Sequence, residues 1–247
     1  MTVGDASLLI AGGIAAGIVN TMAGAGSLLT VPLLVLAGLP GTLANGSNRV
    51  GIFIHNVVAA WSFRAEGVSG FRQALPLLIP VALGSSAGAL VISQVTDKTF
   101  ERLFGLVMIV LLLPILWQPR RLAAGAPAEH RSPRVTFAIF LLIGLYGGLF
   151  QAGVGLALLL ALSFAGNDLV RANSVKVVIN AALTGAALPV FVWQGQVVWQ
   201  PALLLALGLG LGGGIGARLT VRGGERIIRP VLALAVVALA GRMLGLY

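Results

Sequence analysis

Ala23-Gly24-Ala25-Gly26-Ser27, with Pro32 just beyond, breaks an apolar run that extends from about residue 6 to residue 37. A helix needs about 20 apolar residues to cross a bilayer. This run is about half as long again, and glycine interrupts it near its centre. A second run of the same kind covers residues 135–165 and breaks at Ala152-Gly153-Val154-Gly155. Six further apolar stretches, 42–63, 74–95, 100–118, 169–193, 199–220 and 227–246, have ordinary spanning lengths.

Working outward, the two long runs open two similar halves. The glycine breaks match at an offset of 129, and Ser47-Asn48-Arg49-Val50 matches Ser174-Val175-Lys176-Val177 at an offset of 127. Internal repeats with paired glycine-interrupted segments mark transporters, and the interruptions point to the binding site. The halves are residues 1–118 and 135–247 of one transporter domain. Residues 119–134, with Arg120, Arg121, Glu129, His130, Arg131 and Arg134, are expected to be a solvated cytoplasmic linker. The fold class expected is an all-α integral membrane protein of two four-segment repeats, with 6–37 and 135–165 as re-entrant hairpins or kinked helices.

Composition agrees. Of 247 residues, 58% are hydrophobic and 9% charged, and the mean hydropathy is +1.01. Soluble domains carry about 25% charged residues, so a soluble enzyme and a nucleic-acid-binding module are excluded. The chain has no cysteine, which removes disulfide and thiol chemistry. Its first residues lack the basic region of a cleavable signal peptide, so the first apolar segment is expected to be retained.

The 16 Lys+Arg against 7 Asp+Glu are a topology signal in a membrane protein. If all eight segments cross, the basic residues divide almost evenly between the faces. If the two broken runs fold back as hairpins, six segments cross and the repeats are inverted. One face then holds Arg64, Arg72, Arg120, Arg121, Arg131, Arg134, Arg171, Arg218, Arg222, Arg226 and Arg229. The other holds Lys98, Arg102 and Arg242. That bias makes the first face cytoplasmic and puts both termini in the periplasm. A single tilted or kinked span is the alternative for each long run.

Two basic residues stay inside the apolar segments, at matching positions: Arg49 and Lys176. Each lies about eight residues into its helix, roughly 12 Å deep. An intramembrane charge is costly and is by default a functional candidate. All seven acids, Asp5, Glu66, Asp97, Glu101, Glu129, Asp168 and Glu225, sit at segment ends or in loops. The missing counter-ion is then a small anionic substrate, held by the arginine fork and the lysine point charge. Helix ends inside the membrane add N–H donors suited to an anion. The plainer reading is that both cations hydrogen-bond carbonyls or snorkel to water.

Asn45, Arg49 and Asn56 share one helical face, and so do Lys176, Asn180 and Thr184. Ser47, Asn48, Asn173 and Ser174 add polar groups beside the charges, and Gly24, Gly26, Ser27, Gly153 and Gly155 form the breaks. Each polar residue serves equally well as packing glue. Asn20 and Gln151 lie close to the breaks as second-rank contacts. His55 is the candidate carrier of a coupled proton, with a packed, hydrogen-bonded histidine as the plainer reading.

The chain resembles the TauE/SafE sulfite exporter family, the toluene-sulfonate uptake permease group, over about residues 6–246. The resemblance rests on Gly24-Ala25-Gly26-Ser27 with Pro32, and on Ala44-Asn45-Gly46-Ser47-Asn48-Arg49-Val50 with Asn56. In the second half it rests on Gly153-Val154-Gly155 and on Ala172-Asn173-Ser174-Val175-Lys176-Val177 with Asn180. In the second half family members often carry Thr-Ser-Lys, whereas this chain has Asn173-Ser174-Val175-Lys176. The resemblance implies a multi-pass permease of the bacterial inner membrane that moves sulfite, sulfonates or similar organic oxyanions. It implies no cofactor and no enzyme activity, and it is compatible with a homo-oligomer. An anion channel is the alternative class. An intramembrane enzyme built on Ser27 and His55 is remote, because no G-x-S-G surrounds that serine.

Overall fold

The computed structural model describes residues 2–117 and 132–243, and every element among them is a helix. The expected linker lies outside the described residues as far as residue 131. The elements are α1 (Val3–Ala23), α2 (Ser27–Leu36), α3 (Gly41–Ala65), α4 (Phe71–Ile92) and α5 (Asp97–Trp117), then α6 (Pro133–Leu149), α7 (Val154–Phe164), α8 (Leu169–Trp193) and α9 (Trp199–Met243). α1, α4, α8 and the first 25 residues of α9 are long and apolar enough to cross a membrane.

Both long runs divide at their glycines. α1 stops at Gly24, which takes a left-handed φ of 73° that glycine adopts without strain. α2 then turns back along α1. Gly26 lies against Ala16 and Asn20, and Leu33 packs over Gly12. Contacts that step backwards along α1 as α2 advances are those of an antiparallel hairpin. In the second half α6 ends at Leu149, and Gln151 and Gly153 carry φ of 60° and 73°. Val154 returns against Gly147, and α6 and α7 share one apolar cluster through Phe140, Ile143, Leu158 and Leu162.

The halves interlock. α1 packs along α9 of the other half through Gly13 and Gly17 against Gly208 and Gly212. α6 packs along α4 in the same way, through Gly144 and Gly148 against Gly84 and Gly88. Small residues four apart let helix backbones approach closely in lipid. α3 and α8 occupy the same place in their halves and run antiparallel: Gly46 meets Gln196, Phe53 meets Gly185, and Gly70 meets Ser174.

The ends of the bundle sort the charges. Arg218 and Arg222 pair with Glu66, just after α3, at 3.9 and 3.2 Å. Arg171 donates to Gln73 at 2.7 Å. Thr42 donates to Asp97, beside Lys98, at the opposite end. Arg64 and Arg218 thus share an end, the arrangement of the hairpin reading and not of eight crossings. One expectation fails. Segments 199–220 and 227–246 are not separate, because α9 runs unbroken through Arg222-Gly223-Gly224-Glu225-Arg226. Charge alone does not interrupt a helix, and these residues all accept helical backbone angles.

Candidate functional site

The two breaks meet. Gly24 and Gly155 are in backbone contact, so close that a Cβ on Gly155 would lie 2.7 Å from Gly24 O. Ser27 Oγ accepts from Gly153 N–H at 3.1 Å, and Asn20 Oδ1 accepts from Ser27 N–H at 3.3 Å. The N-terminal ends of α2 and α7, both positive dipole ends, therefore converge here.

A helix that stops inside the protein leaves its last carbonyls without intrahelical donors. In a membrane each such orphan costs several kcal/mol. At the end of α1, where Asn20 O also accepts from Gly24 N–H, the last carbonyls are served by α8. Lys176 Nζ donates to Asn20 O at 2.9 Å and Thr21 O at 2.8 Å, and Asn173 Nδ2 donates to Met22 O at 3.0 Å. Asn173 Oδ1 takes the third ammonium proton.

At the end of α6, where Gly147 O also accepts from Gln151 N–H, the same service comes from α3. Arg49 Nη1 donates to Gly147 O, Arg49 Nη2 donates to Gly148 O at 2.8 Å, and Asn45 Nδ2 donates to Leu149 O at 3.1 Å. An asparagine and a cation from each half thus close the broken helix of the other half. Both cations sit at the negative end of a helix dipole.

Arg49 has further partners. Nη1 donates to Gln151 Oε1 at 2.8 Å, Nη2 lies 3.4 Å from Asn45 Oδ1, and the guanidinium carbon stands 4.8 Å over the Phe191 ring. Gln151 Nε2 donates in turn to Asn180 Oδ1 at 2.9 Å, and Thr184 Oγ1 lies 3.5 Å from Gln151 Oε1. Gln151 is the sole described non-glycine residue with positive φ. Such strain persists only where surrounding bonds hold it, here those to Arg49 and Asn180.

Both cations are buried, at 0% and 1% exposure, and no aspartate or glutamate is buried among the described residues. The carbonyl dipoles compensate locally but carry no net charge. The centre is therefore positive by its two formal charges, since the two helix N-termini are offset by the two C-termini that the cations cap.

His55 stands on the α9 side, with Nδ1–H donating to Leu209 O at 3.0 Å and Nε2 3.4 Å from Thr21 Oγ1. The O of Thr21 accepts from Lys176, so one residue joins the histidine to the lysine. Ser27 and His55 are each bonded elsewhere and form no dyad with one another.

Of the sequence-stretch candidates, Asn45, Arg49, Asn173, Lys176, Asn180, Ser27 and the glycines Gly24, Gly26, Gly153 and Gly155 come together around the breaks. Ser47 and Ser174 do not. Ser47 Oγ accepts from Val198 N–H, and Ser174 Oγ donates to Arg171 O within its own helix. Thr21, Gly147, Gly148 and Phe191 were not anticipated. The small-residue spacing of Gly144 and Gly148 was a readable signal for the close approach. No local pattern announced the others.

The model of the family described as "Sulfite exporter TauE/SafE" matches residues 9–243. A probable membrane transporter protein, ORF9, of a Sinorhizobium species is 29% identical over 93% of this chain and 88% of its own. A probable membrane transporter protein of Haemophilus influenzae is 26% identical over 96% of this chain and 93% of its own. The probable membrane transporter protein YfcA of Escherichia coli K12 is 27% identical over 93% and 86%. No solved structure matches the chain.

Proposed function

The chain belongs to the TauE/SafE sulfite exporter family and is a multi-pass membrane transporter; from that premise we propose that it carries a small sulfur-containing or organic oxyanion by alternating access around the Arg49–Lys176 centre. One observation carries this reading: two buried positive charges at the meeting of two broken helices, with no buried carboxylate among the described residues. An uncompensated buried charge costs several kcal/mol. A mobile anion relieves that cost when it binds. The family's printed description names sulfite, a member of this class.

Interlocked halves suit the mechanism. Each cation bridges from one half to the other, so an anion that draws Arg49 toward itself loosens one crossing between halves while Lys176 holds the other. The end that carries Arg64, Arg72, Arg171, Arg218 and Arg222 is the cytoplasmic one, in the inner membrane, by the positive-inside rule. The N-terminus is then periplasmic. With the inside negative, a monovalent anion leaves the cell downhill by about 2.3 kcal/mol per 100 mV. Export thus needs no coupling ion, and import needs one. His55, in contact with Thr21 at the centre, is the proton carrier if one is used.

The test is sulfite flux in proteoliposomes. Saturable flux is expected in the wild type, with at least about a tenfold loss in Arg49→Gln and in Lys176→Gln at equal amounts of folded protein. Undiminished flux in both variants removes the cationic centre from the mechanism. Non-saturating, ohmic conductance makes the protein a channel.

A further inference from the structure

The two capping cations leave different remainders. All three N–H bonds of Lys176 have acceptors: Asn20 O, Thr21 O and Asn173 Oδ1. An ammonium has no more to give. Arg49 keeps its Nε–H without a partner among the described residues. The residue before it, Asn48, is 0% exposed, and neither its Nδ2 nor its Oδ1 has a partner among them. Two turns on, Asn56 donates Nδ2 to Ile52 O at 2.7 Å and leaves Oδ1 unpartnered.

At Asn56 a flipped amide would set an oxygen against Ile52 O. On an α-helix Asn48, Arg49 and Asn56 lie within an arc of about 100° and roughly 12 Å of rise.

The matching positions in the other half show that this polarity is not required by the fold. At the offset of 127, Asn48 corresponds to Val175 and Asn56 to Leu183. Both are fully buried in the apolar core. The first half places two amides where the second places hydrocarbon, and three of their four polar atoms have no partner among the described residues. Buried polar groups are nearly always paired.

We infer that the transported anion binds on α3, through Asn48 Nδ2 and Arg49 Nε, and that Asn48 Oδ1 accepts from a hydrogen-bond donor carried by the same anion. The inference rests on the anion-transport reading and narrows it. Its ligand is a small oxyanion that also bears an O–H or N–H: a hydroxy- or amino-substituted sulfonate or carboxylate. Lys176 is a positioning residue that holds the first break and does not touch the ligand.

The experiment compares 2-hydroxyethanesulfonate with propane-1-sulfonate, which puts a methyl in place of the hydroxyl at nearly the same size. Calorimetric titration of the purified full chain in nanodiscs should show the hydroxylated anion binding at least about tenfold tighter. Asn48→Val, which copies the second half, should bring that ratio toward one while the melting temperature holds or rises. Lys176→Gln should lower the melting temperature and leave the ratio where it was. A wild-type ratio near one overturns the inference, as does an unchanged ratio in Asn48→Val or a collapsed ratio in Lys176→Gln. The wild-type comparison decides even if a variant does not fold. Binding of sulfite but of neither sulfonate overturns this inference alone, and binding of no anion overturns the transport reading with it.

Discussion

At the end of α6, Arg49 spreads a planar head over two carbonyls, two side-chain oxygens and the face of Phe191. At the end of α1, Lys176 gathers two carbonyls and one amide oxygen around a single nitrogen. The positions are equivalent and the task, closing a broken helix, is shared. The chemistry of the head decides what remains. An ammonium spends its three donors on the cap and is exhausted. A guanidinium makes the same cap with its two terminal nitrogens and still presents an edge. Repeats that are alike in architecture can thus divide labour, one break serving as a pin and the other as a receptor.

The largest predicted effect breaks both regions at their meeting point. Gly24→Ala forces a Cβ into the Gly155 backbone and a left-handed φ on alanine. It should cost more than about 4 kcal/mol and prevent recovery of monodisperse protein. Gly38→Ala is the control: its φ is 93°, but nothing lies within 4 Å of the added Cβ. It should cost only the strain, about 1–2 kcal/mol, read as a shift in thermal unfolding.

Exchanging the heads sharpens the comparison directly. Arg49→Lys has three donors for four acceptors and loses the planar stack on Phe191. A loss of about 1.5–3 kcal/mol is expected, together with loss of sulfite flux. Lys176→Arg has donors enough but must fit a larger head into a site 1% exposed, at about 1–3 kcal/mol of overpacking. Equal tolerance of both exchanges would mean that the fork geometry is unused.

Gln151→Gly isolates the strain peculiar to the second break. It relieves about 1 kcal/mol of backbone cost and removes a charged hydrogen bond worth about 1.5–3 kcal/mol. The net should be destabilisation of about 1 kcal/mol in thermal unfolding. A net gain would show that the bond to Arg49 contributes little.

The smallest effect lies at the bundle end. Glu66→Gln loses exposed pairs with Arg218 and Arg222 and should cost no more than about 1 kcal/mol. The same end tests the membrane arrangement, since the chain has no native cysteine. Cysteines at Arg64 and Arg218 should label from the same side. Labelling from opposite sides contradicts the hairpin reading.

Much of this was legible in the residues. Spanning segments could be read because hydrophobic burial is summed over a window, and that sum needs no knowledge of partners. The breaks could be read because glycine-rich stretches in over-long apolar runs have few other uses. Arg49 and Lys176 stood out because charge in an apolar segment is expensive wherever it lies. The loop expected at Arg222–Arg226 failed because polarity marks solvent exposure and not the end of a helix. Arg49's acceptors lie about 100 positions away, at Gly147 and Gly148, and no local pattern points to them.

The sequence by itself determined that this is a helical membrane protein of two similar halves, each with a glycine break and a buried cation. Those are consequences of composition and spacing, which are local and additive. Only the tertiary structure decided that each cation caps the other half's helix, that the breaks touch at Gly24 and Gly155, and that Asn48 keeps both ends of its amide unpaired among the described residues. Hydrogen bonding is directional and saturable. Which donors are consumed and which remain depends on atoms that packing brings together from distant parts of the chain.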